Sequence, residues 1–150
     1  MLLAPSVVRH LRHSKLPDDF ANAGANHFVV FVNSRRRLSQ LGYNFDEGRE
    51  LQNREDLATF CIAYAADQST FHVRNPFAAG GVYEDPATGA AAAAMIGYLR
   101  DMGWLTHGEV EILQGEDMGQ PSRILAEFED TPHSPVRIIG ETRLIQREAA

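Results

Sequence analysis

The residues best equipped for chemistry stand together at Glu84-Asp85-Pro86-Ala87-Thr88-Gly89, directly before the alanines Ala90 to Ala94. Proline is tolerated in the first turn of a helix and aspartate is a favoured N-cap, so the segment predicts a helix opening at Pro86 with Asp85 as its cap. Unpaired main-chain N–H groups and the positive end of the helix dipole gather at such a start. The small residues Thr88, Gly89 and Ala90 would let an anion reach that main chain directly. Gly80 and Gly81, just upstream, add a flexible approach to the same place. Two readings stay open on these residues alone: a capped buried helix, or an acidic side chain beside an anion-binding helix tip.

Other chemistries find less support. Cys61 is the single cysteine; it excludes an internal disulfide framework, fits a reducing cytoplasm, and reads as a packed core thiol among Phe60, Ile62 and Tyr64. The six histidines are scattered, with His10 and His13 the only pair at helical spacing, so no metal is expected. His72 beside Arg74 directly precedes the motif segment and is a candidate for the substrate side, against the plainer reading of packing at a strand end. The formal charge of -6, from 20 acidic and 14 basic residues, argues against a nucleic-acid binder, which needs a cationic face. Arg35-Arg36-Arg37 reads as a solvated helix face. The apolar opening Met1 to Val8 is broken by Pro5 and has its cations after the apolar run, the wrong order for a signal peptide. No run reaches the length a membrane span needs, so no membrane contact is expected and the location is read as cytoplasmic.

These residues need elements to position them. A chain of 150 residues with 44% hydrophobic content is expected to form a single domain over 1–150. Residues 27–32 read as a buried strand, with Ser34 capping a short helix over 35–41. Asn53-x-x-Asp56 with Leu57 behind it predicts another single-turn helix start. Residues 59–65 and 70–74 form an antiparallel hairpin in this reading, and 108–114, 122–129 and 136–145 are further strands. Between the two strand groups, residues 86–99 carry no charged side chain. A helix without a polar face must be enclosed. The expected architecture is therefore α+β: a strongly bent antiparallel sheet or partial barrel wrapped around one central apolar helix. Gly103 is its expected C-terminal glycine, and Trp104 beyond it is read as core.

The motif Glu84 to Gly89 with its alanine helix and Tyr98-Leu99 is similar to the signature of the phenazine-biosynthesis PhzF-like family. So are Gln114-Gly115, Met118-Gly119-Gln120-Pro121-Ser122-Arg123, the Val136-Arg137-Ile138-Ile139-Gly140 element, and Phe71-His72-Val73-Arg74 with Gly81 upstream. The resemblance covers roughly residues 24–145, and it is to the C-terminal half of that family alone. It implies a lobe of the diaminopimelate-epimerase-like fold, in which two similar halves enclose a cleft. It also implies an isomerase that needs no cofactor and moves a proton on a small carboxylate substrate. Asp85 is then the acid/base group, and the amides of Gly89 and Ala90 hold the substrate carboxylate. Gly81, Glu84, Thr88 and His72 complete the expected substrate side. The family's main catalytic glutamate belongs to the first half, which this chain does not match. A complementary lobe or a second copy in a homodimer is therefore the expected partner; the alternative is a non-catalytic half that binds a small carboxylate or a partner subunit. Ala90 stands where many relatives have serine, and Gln120 where arginine is common. In the related diaminopimelate epimerases thiols occupy the helix-start positions that carry Asp85 here.

Overall fold

Two apolar layers organise the molecule, one on each face of a single sheet. The structure, a computed structural model, describes residues 16–106 and 108–144; the readings made on Met1 to Val8, on His10 with His13, and on Ile145 fall outside them. Strands β1 (Asp19–Asn22) and β2 (Asn26–Phe31) form an antiparallel hairpin. Its turn is closed by Gly24 donating to Asn22 Oδ1, with Gly24 at φ +89°. Helices α1 (Arg35–Ser39) and α2 (Phe45–Arg54) follow, capped by the side chains of Ser34 and Asn44, which accept from the N–H groups of Arg37 and Glu47. They carry the chain across the outer face to β3 (Thr59–Ala65), which therefore runs parallel to β2. Leu38, Leu51 and Leu57 seal that face against Phe28, Val30, Phe60 and Ile62. The helix start expected at Asn53 is not there, because Asn53 lies in the last turn of α2 and Asn44 provides the cap.

Strand β3 turns back through 66–69 into β4 (Thr70–Pro76), giving the hairpin predicted from the sequence. After a 3-10 turn at Ala78–Gly80 come the two-residue strand β5 (Glu84–Asp85), which pairs with the end of β4, and the central helix α3 (Gly89–Asp101). Strands β6 (Gly108–Gln114), β7 (Ser122–Phe128) and β8 (Arg137–Gly140) complete the sheet in the order β1-β2-β3-β4-β6-β7-β8.

Helix α3 packs on β7, β1, β3, β8 and β2, so it touches both edges of that order as well as its middle. A flat sheet cannot do this; the sheet curls into a half-barrel around the helix, as the uncharged segment required. Ala91, Ala92, Ala94, Met95, Ile96 and Leu99 are all at most 3% exposed. Full burial of Met95, Ile96 and Leu99 stabilises the lobe by roughly 1.5–3 kcal/mol each. The sheet is mixed where an antiparallel one was expected: β2–β3 and β4–β6 are parallel. Both departures have one cause, since each pair is joined through helices that return the chain to the end where it started.

Helix α3 closes as the sequence predicts. Gly103 adopts φ +80°, its N–H donates to the Arg100 carbonyl, and Trp104 N–H donates to the Leu99 carbonyl. This is the Schellman pattern. Trp104 then packs edge-on against Phe71 at the start of β4, with ring centroids 5.7 Å apart. The C-terminal end of α3 therefore lies at the β4 start, and its N-terminal end lies near Asn75 and β5.

Candidate functional site

The start of α3 differs from the expected geometry by one turn. The helix begins at Gly89, Thr88 occupies the cap position, and Asp85 sits outside it in β5, opposite Asn75 of β4. Pro86 is thus not the first helical residue. The Thr88 hydroxyl is diverted from capping: it donates to Asp85 Oδ2 at 2.7 Å and accepts from Gln114 Nε2 at 2.9 Å. Among the described residues, the N–H groups of Gly89 and Ala90 meet no acceptor. The expectation of bare amides at this tip is therefore met by the geometry, although the cap residue was misplaced.

Gln114, at the end of β6, is the clamp of this loop. Its Nε2 donates to the Asp85 carbonyl at 2.7 Å as well as to Thr88, and its Oε1 accepts from the Thr88 N–H at 3.1 Å. It is 1% exposed, so each of these bonds replaces one that water would otherwise make. Ser122 fixes the next residue, donating from Oγ to the Pro86 carbonyl at 2.8 Å. Gly115, at φ +78°, is required here: a Cβ would stand 2.1 Å from the Gln120 carbonyl oxygen and 3.0 Å from that of Pro86. The sequence marked Gln114-Gly115 as family-like without indicating this task. The signal was a glutamine-glycine pair closing a strand, where an amide can bond main chain in both senses.

Pairing parity sorts the remaining predicted residues. In β4, Phe71 and Val73 face the α3 core, so Asn75 and its partner Asp85 share that face. His72 and Arg74 point the opposite way. Of the two readings of His72, a place on the substrate side or packing and hydrogen bonding at the strand end, the structure shows the second: it lies on the outer face, its Nδ1 2.6 Å from Glu116 Oε2 and its ring stacked near Tyr64. Glu116 also lies 3.6 Å from Arg35, which holds Asp117 by two bonds of 3.0 Å. The loop after Gln114 is thereby tied to α1, and Arg35 is engaged rather than simply solvated.

Glu84 is corrected in the same way. Both of its carboxylate oxygens are bonded by Arg74, Oε1 from Nε at 3.0 Å and Oε2 from NH2 at 2.7 Å, with both side chains under 10% exposed. Arg74 NH1 donates onward to the carbonyls of Leu38 and Leu41 behind α1. Glu84 therefore anchors β5 and is not free for a ligand. Gly81 is exposed at φ +83° and ends the 3-10 turn. The two acidic neighbours have opposite duties because successive residues of a strand face opposite sides.

The tip is neither sealed nor isolated. Asp85, Thr88 and Gly89 are half-buried, Ala87 and Ala90 exposed. Val82 and Tyr83 present 47% and 42% of their surface beside them. Tyr43 stacks on Tyr83 at 4.3 Å and donates from its N–H to the Tyr83 hydroxyl at 2.8 Å, which stiffens this apolar rim. A cavity of about 770 Å³ flanks the loop on the other side, between Pro86, Ala87, Gln120, Arg123 and Arg143. Cys61 is fully buried, its thiol pushed up to about 12 by that burial, with Sγ 3.9 Å from Met95 Sδ. It is a core thiol, as read. Among the described residues no cluster of three metal-ligating side chains occurs, and no helix is long and apolar enough to cross a membrane.

The half-barrel curled round an apolar helix is a fold shared with PhzF-family and epimerase-like proteins. A PhzF-family protein of Bacillus anthracis superposes with a TM-score of 0.69 at 20% identity, over 87% of this chain and 46% of that one. A predicted epimerase of Pseudomonas aeruginosa superposes at 0.56 and 18%, over 84% and 44%. The phenazine biosynthesis-like protein family, PhzC-PhzF, matches residues 2–147, and the chain belongs to it. The trans-2,3-dihydro-3-hydroxyanthranilate isomerase of Pseudomonas fluorescens is 34% identical over 126 residues, 83% of this chain and 44% of that protein. The enzyme of the same name in P. aeruginosa is 35% identical over 120 residues, 79% and 41% respectively. The chain spans less than half the length of these relatives.

Proposed function

We propose that this chain is one half of an isomerase that needs no cofactor and moves a proton on a small carboxylate, with Asp85 as the acid/base group. The observation that carries this reading is the juxtaposition at the α3 tip. The Asp85 carboxylate, fixed by Thr88, stands one turn from the unbonded N–H groups of Gly89 and Ala90. A substrate carboxylate held by those amides would present a neighbouring C–H to Asp85. The carboxylate takes that proton, the electron pair is left on the substrate, and the protonated carboxyl, whose proton exchanges with solvent, returns one at another carbon or on the other face. Such transfer needs a site from which water is excluded. The exposed Val82, Tyr83, Ala87 and Ala90 provide an apolar rim that a second half would cover. That half is a complementary lobe or another copy of this chain.

The test uses trans-2,3-dihydro-3-hydroxyanthranilate, the compound named for the relatives, and a panel of small amino-acid-like carboxylates in deuterated water. Deuterium entering substrate with the parent and at least about 100-fold more slowly with Asp85→Asn supports the assignment. Exchange that survives the substitution removes Asp85 from the role. Binding of these compounds without any exchange favours the non-catalytic reading.

A further inference from the structure

Inside the half-barrel, on the α3 face and at the end where Asp85 lies, three polar side chains cross three strands. His27 of β2 is 1% exposed, Thr59 of β3 2% and Asn75 of β4 0%. His27 Nδ1 lies 2.8 Å from Thr59 Oγ1, and Thr59 Oγ1 donates to Asn75 Oδ1 at 3.1 Å. The direction of this chain follows from the orientation of the Asn75 amide, whose oxygen faces Thr59. A hydroxyl has one proton, and Thr59 has given it to Asn75, so the first contact must be His27 Nδ1–H donating to the Thr59 oxygen. Burial lowers the affinity of His27 for a second proton, which leaves the ring neutral. Its Nε2 is then a bare acceptor. At the far end, Asn75 has committed its oxygen to Thr59, so its NH2 faces elsewhere. His27 Nε2 and Asn75 Nδ2 are both buried and both lack a partner among the described residues.

Two orphaned buried side-chain atoms among the described residues need a reason. Asn75 directly opposes Asp85 in the β4–β5 pair. Opposed residues on one face have Cβ atoms about 4.5–5.5 Å apart. Asp85 Oδ2 is occupied by Thr88, and no hydrogen bond to Oδ1 is present among the described residues. A spare donor and a spare acceptor thus stand side by side on one face.

We infer that Asn75 is a positioning residue for Asp85: its Nδ2 serves Asp85 Oδ1 through one buried water, and the His27–Thr59 chain keeps the Asn75 amide from flipping. A flipped amide would turn a carbonyl oxygen toward the carboxylate, and two acceptors repel. The inference rests on Asp85 being the working carboxylate, yet its test needs no turnover.

Nitrogen-15 NMR of His27 and of the Asn75 side-chain amide in the intact chain decides it. The wild type shows the neutral Nδ1–H tautomer with Nε2 unprotonated, which requires no variant. Thr59→Ser retains that pattern and Thr59→Val loses it. In Asp85→Asn the Asn75 amide resonances shift, and their exchange with solvent becomes about fivefold faster, the factor corresponding to one hydrogen bond of about 1 kcal/mol. An Nε2–H tautomer in the wild type, or Asn75 amide signals unchanged by Asp85→Asn, overturns the inference even if deuterium exchange into substrate succeeds. Conversely, the expected spectra with binding but no exchange into any substrate leave the positioning intact and favour the non-catalytic reading.

Discussion

Gln114 makes three hydrogen bonds from one side chain, and its geometry joins the end of β6 to the loop that carries Asp85. Replacing it by leucine keeps the volume and orphans the Thr88 N–H and the Asp85 carbonyl together. The expected cost is about 2–4 kcal/mol, each buried orphan contributing roughly 1–3 kcal/mol; urea denaturation of Gln114→Leu beside the parent measures it. His27 supplies a second prediction at this scale. Its folded proton affinity lies below the ordinary histidine value of 6.5 because burial disfavours the charged ring. Below that pH the unfolded chain binds a proton that the folded chain refuses, so this contribution is fully present above 6.5 and is lost as pH falls through the lower folded value. Thermal melting from pH 7.5 downward should fall more steeply for the parent than for His27→Gln, which cannot titrate. Equal slopes would show that His27 is not the group responsible.

Among the elements, α3 carries the most distinctive demands. Its alanines are placed where curled strands approach closely: Ala91, Ala92 and Ala94 are buried, whereas Ala90 at the tip is exposed. Ala94→Leu should therefore destabilise by about 1–3 kcal/mol through overpacking. Ala90→Ser should stay within about 0.5 kcal/mol, as exposed substitutions usually do. Chemical denaturation of the pair tests whether the sheet grips the helix along its length; similar stabilities would mean a looser wrap than the one described. The element also explains why the cap was misread. Asp85-Pro86 has the composition of a helix start, but β4 offers an open ladder at Asn75 and Pro76. Glu84 and Asp85 take it, with Arg74 gripping Glu84 from behind. Pairing across the sheet outweighed local capping preference.

For the whole molecule, the exposed apolar rim beside the α3 tip is the surface that the proposed second half would cover. Val82 and Tyr83 are nearly half exposed although Tyr43 braces Tyr83. If a second copy of the chain covers that rim, sedimentation equilibrium at micromolar concentration should show a dimer. Tyr83→Lys should shift it toward monomer by at least about tenfold in dissociation constant, the effect of losing about 1.4 kcal/mol of apolar burial. A chain that remains monomeric with Tyr83 intact removes the homodimer.

Much of this was legible before any coordinates. The uncharged run from Pro86 to Leu99 required enclosure, because a helix without a polar face has nothing to offer water, and enclosure by flanking strands implied a curled sheet. Ser34 as a cap, the 59–65/70–74 hairpin, Gly103 and the buried Cys61 were equally local matters, settled by residue type and spacing. Tertiary structure alone decided the rest. Parallel pairing at β2–β3 and β4–β6 depends on where connecting helices return the chain. The division of Glu84 to the outer face and Asp85 to the inner one depends on register against β4, which no single strand encodes. The polar chain from His27 through Thr59 to Asn75 joins residues far apart in sequence that only strand alignment brings together. Composition fixes what must be buried; the registers of non-neighbouring strands determine which buried polar groups meet.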